Sequence, residues 1–240
     1  MSLQHTISLV TGASSGIGKA IALAVSKEGG GVAIVGRAIE RLTKVSEEAG
    51  RAGAKAKLYQ ADLAIDEQIQ RFVSEVRRDF GSLDILVHSA GIFQMGPLGQ
   101  SAVSDLDSLY RTNVRGPYLL TKVLLPMLIA RKGQIVFINS SVGLTARAGV
   151  GAYAATKHAL KAIADSLRAE VNELGVRVIS VYPGRTATPQ QERIHGQEQR
   201  PYQPDRLLQP EDVAQAVLNT LAMPRTAEVT DIQIRPMLKS

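Results

Sequence analysis

Short apolar segments alternate with longer segments of helical pattern through the first ninety residues of this chain. Candidate strands cover 6–10, 32–35, 55–60 and 84–87, and the helices between them end near Glu28, Ala52 and Phe80. We expect Asp66 to cap the third of these helices. Such alternation is typical of a parallel sheet with helices on both faces.

The second half continues the pattern with longer helices. We expect a helix over 104–131, interrupted near 116–117, then a strand over 134–139, an Ala-rich helix around Tyr153 that Gly175 terminates, a strand over 176–181, a helix over 210–223 and a last strand over 229–234. Residues 185–209 look irregular, polar and mobile. The prediction is an α/β fold: one doubly wound Rossmann domain over 1–240, with a mostly parallel sheet of seven strands.

A glycine-rich loop follows the first strand and leads into the first helix. It reads Thr11-Gly12-Ala13-Ser14-Ser15-Gly16-Ile17-Gly18. Glycines at this spacing allow a tight turn and close approach of the backbone to phosphate, and the helix N-terminus supplies amides and positive potential. The loop therefore predicts a dinucleotide-binding site.

The end of the second strand predicts which dinucleotide binds. In such a fold an acidic residue at this position binds the ribose 2′-hydroxyl, whereas an arginine suits a 2′-phosphate. Here no acid is present, and Gly36 is followed by Arg37. We therefore expect NADP(H) as the cofactor. Arg41, one turn further on, is either a second contact to the 2′-phosphate or only a solvated charge on the helix.

Tyr153 and Lys157 open the Ala-rich helix, four residues apart. Side chains at this spacing share one face of a helix, with Cβ atoms about 5–6 Å apart. A nearby ammonium favours the phenolate, and we expect it to lower the pKa of Tyr153 from about 10 to roughly 7. Such a tyrosine can give a proton to a carbonyl oxygen or take one from a hydroxyl. A Tyr-x-x-x-Lys pair arises often by chance, so this assignment depends on the neighbouring motifs.

Composition argues against several classes of function. The net charge is +6, but the 28 basic residues are scattered and only 4% of residues are aromatic, which disfavours nucleic-acid binding. The longest apolar run has about eight residues, short of the roughly 18–20 that span a bilayer. The chain has no cysteine, hence no disulfide or thiolate chemistry. With no signal peptide recognised, we expect a cytoplasmic protein.

Taken together, these motifs resemble those of the short-chain dehydrogenase/reductase family over nearly the whole chain. The resemblance implies a catalytic tetrad of Asn113, Ser140, Tyr153 and Lys157. It implies that the cofactor is bound by Gly12, Ser14, Ser15, Gly16, Ile17, Gly18, Arg37, Asp62, Leu63, Ala90, Gly91, Asn113, Tyr153, Lys157, Pro183, Gly184, Thr186 and Thr188. In the family, the acidic residue at the position of Asp62 contacts the adenine ring, and the segment matching Pro183-Gly184 closes over the nicotinamide.

Two positions depart from the family pattern or leave it ambiguous. His88-Ser89 replaces a pair of asparagines, and we expect His88 to be a packed, hydrogen-bonded histidine at a strand end rather than a catalytic one. Ser140 and Ser141 both fit the catalytic serine. Ser140 lies 13 residues before the tyrosine and 3 before Gly143, as the family pattern requires, so we favour Ser140.

The resemblance implies an NADP(H)-dependent oxidoreductase that interconverts a small-molecule carbonyl and an alcohol. A 3-oxoacyl-thioester (acyl-carrier-protein) reductase is the alternative, because a basic surface suits an acidic carrier. A non-catalytic NADP sensor is a third reading. We expect no nucleic-acid or membrane partner, and we expect residues 185–209 to determine the substrate.

A homodimer or homotetramer is also expected. In the family, the helices that carry Asn113 and Tyr153 commonly pair with their copies. The small apolar face of Ala155, Ala159, Ala162 and Ile163 suits such pairing, although this face could instead pack on the sheet.

Overall fold

Seven parallel strands form one sheet in the computed structural model, which describes residues 3–238. The strands are β1 (Ile7–Thr11), β2 (Gly31–Gly36), β3 (Ala56–Gln60), β4 (Ile85–His88), β5 (Gln134–Ile138), β6 (Arg177–Pro183) and β7 (Asp231–Ile234). Their order across the sheet is β3-β2-β1-β4-β5-β6-β7. Every neighbouring pair is parallel. The predicted doubly wound α/β fold is therefore confirmed.

Eight α-helices connect and cover the strands in the described chain. They are α1 (Gly16–Lys27), α2 (Ile39–Arg51), α3 (Asp66–Phe80), α4 (Val103–Tyr110), α5 (Gly116–Ala130), α6 (Gly151–Val171), α7 (Pro189–Gln197) and α8 (Pro210–Leu221). Side chains alternate between the two faces of each strand, so the sheet separates two apolar cores. Leu9 belongs to the core beneath α3, α5 and α6, and its neighbour Val10 to the core beneath α1, α2 and α8.

Three local predictions need correction. Residues 185–209 are not irregular throughout, because they contain α7 and a short 3₁₀ turn over Pro204–Arg206. The interruption expected near 116–117 is a π-helical turn over Arg111–Arg115, one turn earlier. Asp66 is the first residue of α3, and Ile65 precedes it as the N-cap. Pro189 lies in the first turn of α7, where proline costs no hydrogen bond. Pro117 directly follows the π-helical turn in a continuous helical segment, where its missing N–H removes one.

His88, at the end of β4, is a packed structural residue, as predicted. Its ring stacks on Phe137 with centroids 4.7 Å apart, and its Nε2 lies 2.8 Å from Oγ1 of Thr121. Burial lowers the pKa of His88 to about 3, so the ring is neutral at ordinary pH.

No helix within residues 3–238 combines the length and apolar character needed to cross a membrane.

Candidate active site

A cleft of about 920 Å³ opens where the strands end. Carboxyl ends of parallel strands meet at one edge of the sheet, which is where open α/β folds bind their ligands. All the predicted site residues except Asn113 line this cleft; they are Gly12, Ser14, Ser15, Gly16, Ile17, Gly18, Arg37, Asp62, Leu63, Ala90, Gly91, Ser140, Tyr153, Lys157, Pro183, Gly184, Thr186 and Thr188.

The loop after β1 is held tightly against the end of β4. Oγ1 of Thr11 accepts hydrogen bonds from the backbone amides of Ser89 and Ala90, each at 3.1 Å. Gly12 has a φ of +67°, and a Cβ there would lie 2.7 Å from the backbone of Ala90. A Cβ on Gly18 would lie 2.6 Å from the carbonyl oxygen of Gly12. Glycine is therefore required at both positions by space, and at Gly12 also by backbone conformation.

The N-terminus of α1 fits an anionic ligand. The helix begins at Gly16, no side chain caps its first amides, and its first turn contains no acidic residue. Uncapped amides and the helix dipole together favour a phosphate group. Thr188 lies close by, because a Cβ on Gly16 would come within 2.9 Å of its Cγ2. The segment after β6 therefore closes against this loop.

The ends of β2 and β3 form the second polar part of the cleft. Nη1 of Arg37 lies 3.6 Å from Oδ2 of Asp62, and the arginine side chain remains 64% exposed. The other carboxylate oxygen of Asp62 accepts from the amide of Ala64 at 2.9 Å. Arg41 also lines this end. Arg37, Arg41 and Asp62 together give the lining here a net positive charge, which fits a phosphate ester.

Tyr153, Lys157 and Ser140 meet in the middle of the cleft. Tyr153 and Lys157 are both buried on α6, and Ser140 follows β5 and hydrogen-bonds Tyr153. Nζ of Lys157 lies 5.8 Å from the centroid of the Tyr153 ring. Phe93 packs edge-on against the same ring, with centroids 4.8 Å apart. Ser141, by contrast, is exposed.

The prediction that Lys157 brings the pKa of Tyr153 to roughly 7 is wrong for this structure. Burial raises the pKa of Tyr153 to about 12, and the hydrogen bond from Ser140 opposes this only in part. Burial also lowers the pKa of Lys157 to about 8. The ammonium is directed elsewhere, since it donates to the carbonyl of Ile138 at 3.1 Å. Desolvation therefore outweighs the attraction between the two groups.

Asn113 lies behind the cleft, on the π-helical turn between α4 and α5. Its Nδ2 donates to the carbonyl of Ile92 at 3.0 Å and to Oγ1 of Thr156 at 3.2 Å, while its Oδ1 accepts from the amide of Ile92 at 2.8 Å. A Cβ on Gly91 would lie 3.3 Å from this Oδ1 and 3.9 Å from Nζ of Lys157. Gly91 thus leaves a narrow space between the amide and the ammonium.

Asn139 is a positioning residue that the sequence analysis did not identify. Its Nδ2 donates to the carbonyl of Lys157 at 3.0 Å, and its Oδ1 accepts from the amide of Ser140 at 2.9 Å. This buried amide therefore joins the end of β5 to α6, and it fixes the serine relative to the lysine. Its place directly after the apolar residues 135–138 of β5 was the available signal.

The segment after β6 holds two of the predicted site residues, Thr186 and Thr188, and a charged cluster that was not predicted from the sequence. Thr188 caps α7 by accepting from the amide of Gln191 at 3.1 Å. Thr186 donates to the carbonyl of Gly184 at 3.1 Å. Arg185 lines the cleft and pairs with Glu198, which also lies 3.6 Å from Nη2 of Arg147. No single short motif connects these charged residues, because they come together only when α7 forms.

Comparison with known proteins agrees with this arrangement. The sequence model of one family, described as short chain dehydrogenase, matches residues 6–199. The chain belongs to the short-chain dehydrogenase family. An uncharacterized oxidoreductase of Staphylococcus epidermidis is 31% identical over 236 residues, which cover 98% of this chain and 99% of that protein. As a member of this family the protein is an enzyme.

Two solved structures illustrate the similarity. A short chain dehydrogenase from Burkholderia cenocepacia in complex with NADP is 32% identical, covers 98% of both chains and superposes with a TM-score of 0.86. L-Sorbose reductase from Gluconobacter frateurii, complexed with NADPH and L-sorbose, is 26% identical with full coverage of both chains and a TM-score of 0.89.

Proposed function

We propose that this enzyme is an NADP(H)-dependent oxidoreductase that interconverts a carbonyl compound and an alcohol. The observation that carries the proposal is the meeting of Tyr153, Ser140 and Lys157 in a cleft that fits a phosphorylated dinucleotide. Complexes of similar structures with NADP and NADPH support the choice of cofactor.

Residues on the two halves of the cleft would hold the cofactor. The loop and uncapped helix end at Gly16–Gly18 suit the pyrophosphate, and Arg37 with Arg41 suits the 2′-phosphate. Asp62 and Leu63 would contact the adenosine, while Pro183, Gly184 and Thr188 would border the nicotinamide. When bound, the nicotinamide supplies or accepts the hydride.

The proton moves at the phenol of Tyr153. In reduction the phenol donates its proton to the substrate oxygen as hydride reaches the carbonyl carbon, and in oxidation the phenolate takes it back. The hydroxyl of Ser140 donates a hydrogen bond to the same substrate oxygen and orients it. The ammonium of Lys157, 5.8 Å from the centroid of the Tyr153 ring, would stabilise the phenolate that remains. Asn113 and Gly91 leave room beside the ammonium for a water that returns the proton.

The charge states of the free site suit reduction. With a pKa of about 12, Tyr153 is fully protonated at pH 7 and ready to donate. Lys157, with a pKa of about 8, is still mostly charged at that pH. A neutral acid beside an ammonium is the arrangement that proton donation to a carbonyl oxygen requires.

The experiment is turnover of a broad panel of ketones and aldehydes with NADPH, by wild type and Tyr153→Phe. Phenylalanine keeps the packing against Phe93 but has no proton to give. We expect the variant to lose at least about a thousandfold in kcat. NADPH affinity, measured by titration, should change little. A variant that keeps a tenth of wild-type turnover would contradict the assignment of Tyr153.

Two other readings are tested by the same panel. A 3-oxoacyl-thioester reductase would prefer thioesters to small ketones, and a sensor would bind NADPH without oxidising it with any carbonyl. The absence of nucleic-acid and membrane partners, and a cytoplasmic location, stay predictions.

A further inference from the structure

The side chains that line the cleft carry a net positive charge. Asp62 is its one acidic residue among the described residues, whereas its basic residues are Lys157, Arg37, Arg41, Arg147, Arg185, Arg193 and Arg235. A cleft lined by one sign of charge concentrates ligands of the opposite sign. A phosphorylated cofactor accounts for part of this charge, namely Arg37 and Arg41 at the ends of β2 and β3.

The other four arginines lie on the catalytic half of the sheet. Arg147 is in the loop between Ser140 and Tyr153, Arg185 follows β6, Arg193 is on α7, and Arg235 follows β7. Strands β5, β6 and β7 are on the opposite side of the sheet from β2 and β3. These four cleft residues therefore come from elements on the side of the sheet that also carries Ser140 and Tyr153, where the substrate, rather than the adenosine, is expected.

Arg147 and Arg185 share one carboxylate. Nη2 of Arg185 lies 2.8 Å from Oε2 of Glu198, and this pair is mostly buried, with 16% and 12% of the side chains exposed. Nη2 of Arg147 lies 3.6 Å from Oε1, which is longer than a hydrogen bond. Nη1 of Arg185 also lies 3.4 Å from Nε2 of His195, so most of the unused N–H donors belong to Arg147. Two guanidinium groups around one carboxylate still leave a charge of one unit.

We infer that the substrate is an anionic carbonyl compound, whose carboxylate or phosphate is bound by Arg147 and Arg185 at the catalytic end of the cleft. The inference rests on the proposed function and names the class of substrate for it. Guanidinium groups bind both anions through paired N–H donors. A second cavity of about 230 Å³ shares Arg185 and is lined by Arg200 and Arg206, which extends the positive region away from the cleft.

The test compares matched substrates that share a reacting carbonyl and differ in charge. These are acetoacetate against methyl acetoacetate, and dihydroxyacetone phosphate against dihydroxyacetone, each with NADPH. We expect the wild-type kcat/KM to favour the charged member of at least one pair by about tenfold or more, the scale of a hydrogen bond to a charged group. The pair with the larger preference identifies the anion.

Two variants with opposite expected effects on the charged-to-neutral ratio of kcat/KM locate the site. Arg147→Gln should lower the charged-to-neutral ratio about tenfold, because it removes one of the two donors. Glu198→Gln removes the internal carboxylate that competes for both guanidinium groups, so the ratio should rise. General damage to α7 lowers both activities and cannot raise the ratio. Arg51→Gln, at the exposed end of α2, is the matched control and should leave the ratio unchanged.

Binding of malonate in the presence of NADP⁺, measured by calorimetry, gives a readout that needs no turnover. If malonate binds and Arg147→Gln weakens this binding, the anion site is supported, whether or not any ketone is reduced. If in addition no ketone is reduced, only the proposed function is overturned. Reduction of neutral ketones with ratios near one, insensitive to Arg147→Gln and Glu198→Gln, leaves the function standing and overturns the inference. Absence of both turnover and malonate binding overturns both.

Discussion

Burial controls the charge of the two central side chains more than their mutual attraction does. The sequence places Tyr153 and Lys157 on one helix face, and that much is correct. Spacing alone cannot show where a long side chain ends, and here the ammonium turns to the carbonyl of Ile138. Both groups are therefore biased to their neutral forms, with the pKa of Tyr153 raised to about 12 and that of Lys157 lowered to about 8.

The lowered pKa of Lys157 makes stability depend on pH in a defined window. The pKa is about 8 in the folded protein against an ordinary value of 10.5. Between these values the unfolded chain binds more protons, so the free energy of unfolding rises with pH. Below pH 8 the cost of the buried charge is fully present and is about 3 kcal/mol. Above pH 10 the raised pKa of Tyr153 acts in the opposite direction.

Lys157→Met tests this linkage in the protein without cofactor. The variant removes the buried charge and one hydrogen bond, so we expect it to be about 1–3 kcal/mol more stable than wild type at pH 7, with the difference narrowing toward pH 10. Urea unfolding at pH 7, 8.5 and 10 measures it. Lys122→Met, an exposed lysine on α5, is the control and should show no such trend. A constant difference across this range would contradict the lowered pKa.

The adjacent serines give a second prediction at this scale. Ser140 hydrogen-bonds Tyr153 and lies half-buried in the cleft, whereas Ser141 begins a 3₁₀ turn and is exposed. We expect Ser140→Ala to lower kcat/KM for a carbonyl substrate about a hundredfold, because an oriented donor to the substrate oxygen is lost. Ser141→Ala, its matched control, should stay within about threefold. The reverse order would transfer the role to Ser141.

Individual elements determine where each functional group is placed. The π-helical turn over Arg111–Arg115 carries Asn113 inward to Ile92 and Thr156. Helix α7 carries Glu198 to Arg147 and Arg185, and Thr188 caps its first turn. Neither element has a hydrophobic period that reveals it in the sequence, because α7 buries only Ile194 and His195 and the π turn interrupts the regular repeat.

We expect the carboxyl end of β2 to decide the cofactor preference. Gly36 ends the strand, and a Cβ there would lie 3.3 Å from Cδ2 of Leu42, the flexible tip of a side chain. An aspartate at this position is therefore sterically tolerable. It would add a carboxylate beside Arg37 and the expected site of the 2′-phosphate.

We expect wild type to prefer NADPH to NADH by about 10- to 150-fold in kcat/KM, the worth of one hydrogen bond to a charged group. Gly36→Asp should reverse the order, because the new carboxylate repels the phosphate and can accept from the 2′-hydroxyl of NAD. Gly36→Ala adds the Cβ without charge and should keep the preference for NADPH. Equal use of both cofactors by wild type would mean that Arg37 does not bind the phosphate.

For the whole molecule, the hydrophobic periodicity of the sequence predicted the secondary structure reliably. It could not predict which distant residues come into contact. The strand-helix alternation correctly predicted the sheet and nearly every element, since burial on one or two faces leaves a direct trace in the sequence. The glycines of the first loop were recognisable because space and backbone conformation both demand them. Asn139, Glu198 and the arginines near them were not, since residues far apart in sequence meet only in the folded chain. We infer that residues 3–238 form one domain, because one continuous sheet carries both cores.

The surface of α6 that faces away from the sheet bears on how whole molecules assemble. Leu160 and Ala164 are buried against the sheet. Of the predicted small apolar face, Ala155 and Ala162 are exposed and Ala159 and Ile163 are half-buried, so this face does not pack on the sheet as a whole. A large side chain close to Asn113 in the sequence is exposed as well: Tyr118 on α5 is 56% exposed. Exposed apolar surface on two helices is typical of a contact between subunits.

We expect the protein to form a dimer or tetramer through this face, with α6 packing against its copy across a two-fold axis. Light scattering at micromolar concentration should give at least twice the mass of the 25.7 kDa chain. Ala162→Glu places like charges opposite one another at the axis and should shift the mass toward the monomer. Ala52→Glu, at the exposed end of α2, makes the same change away from this face and should leave the mass unchanged. A wild-type mass of one chain would refute the prediction, and an oligomer insensitive to Ala162→Glu would place the interface on another surface.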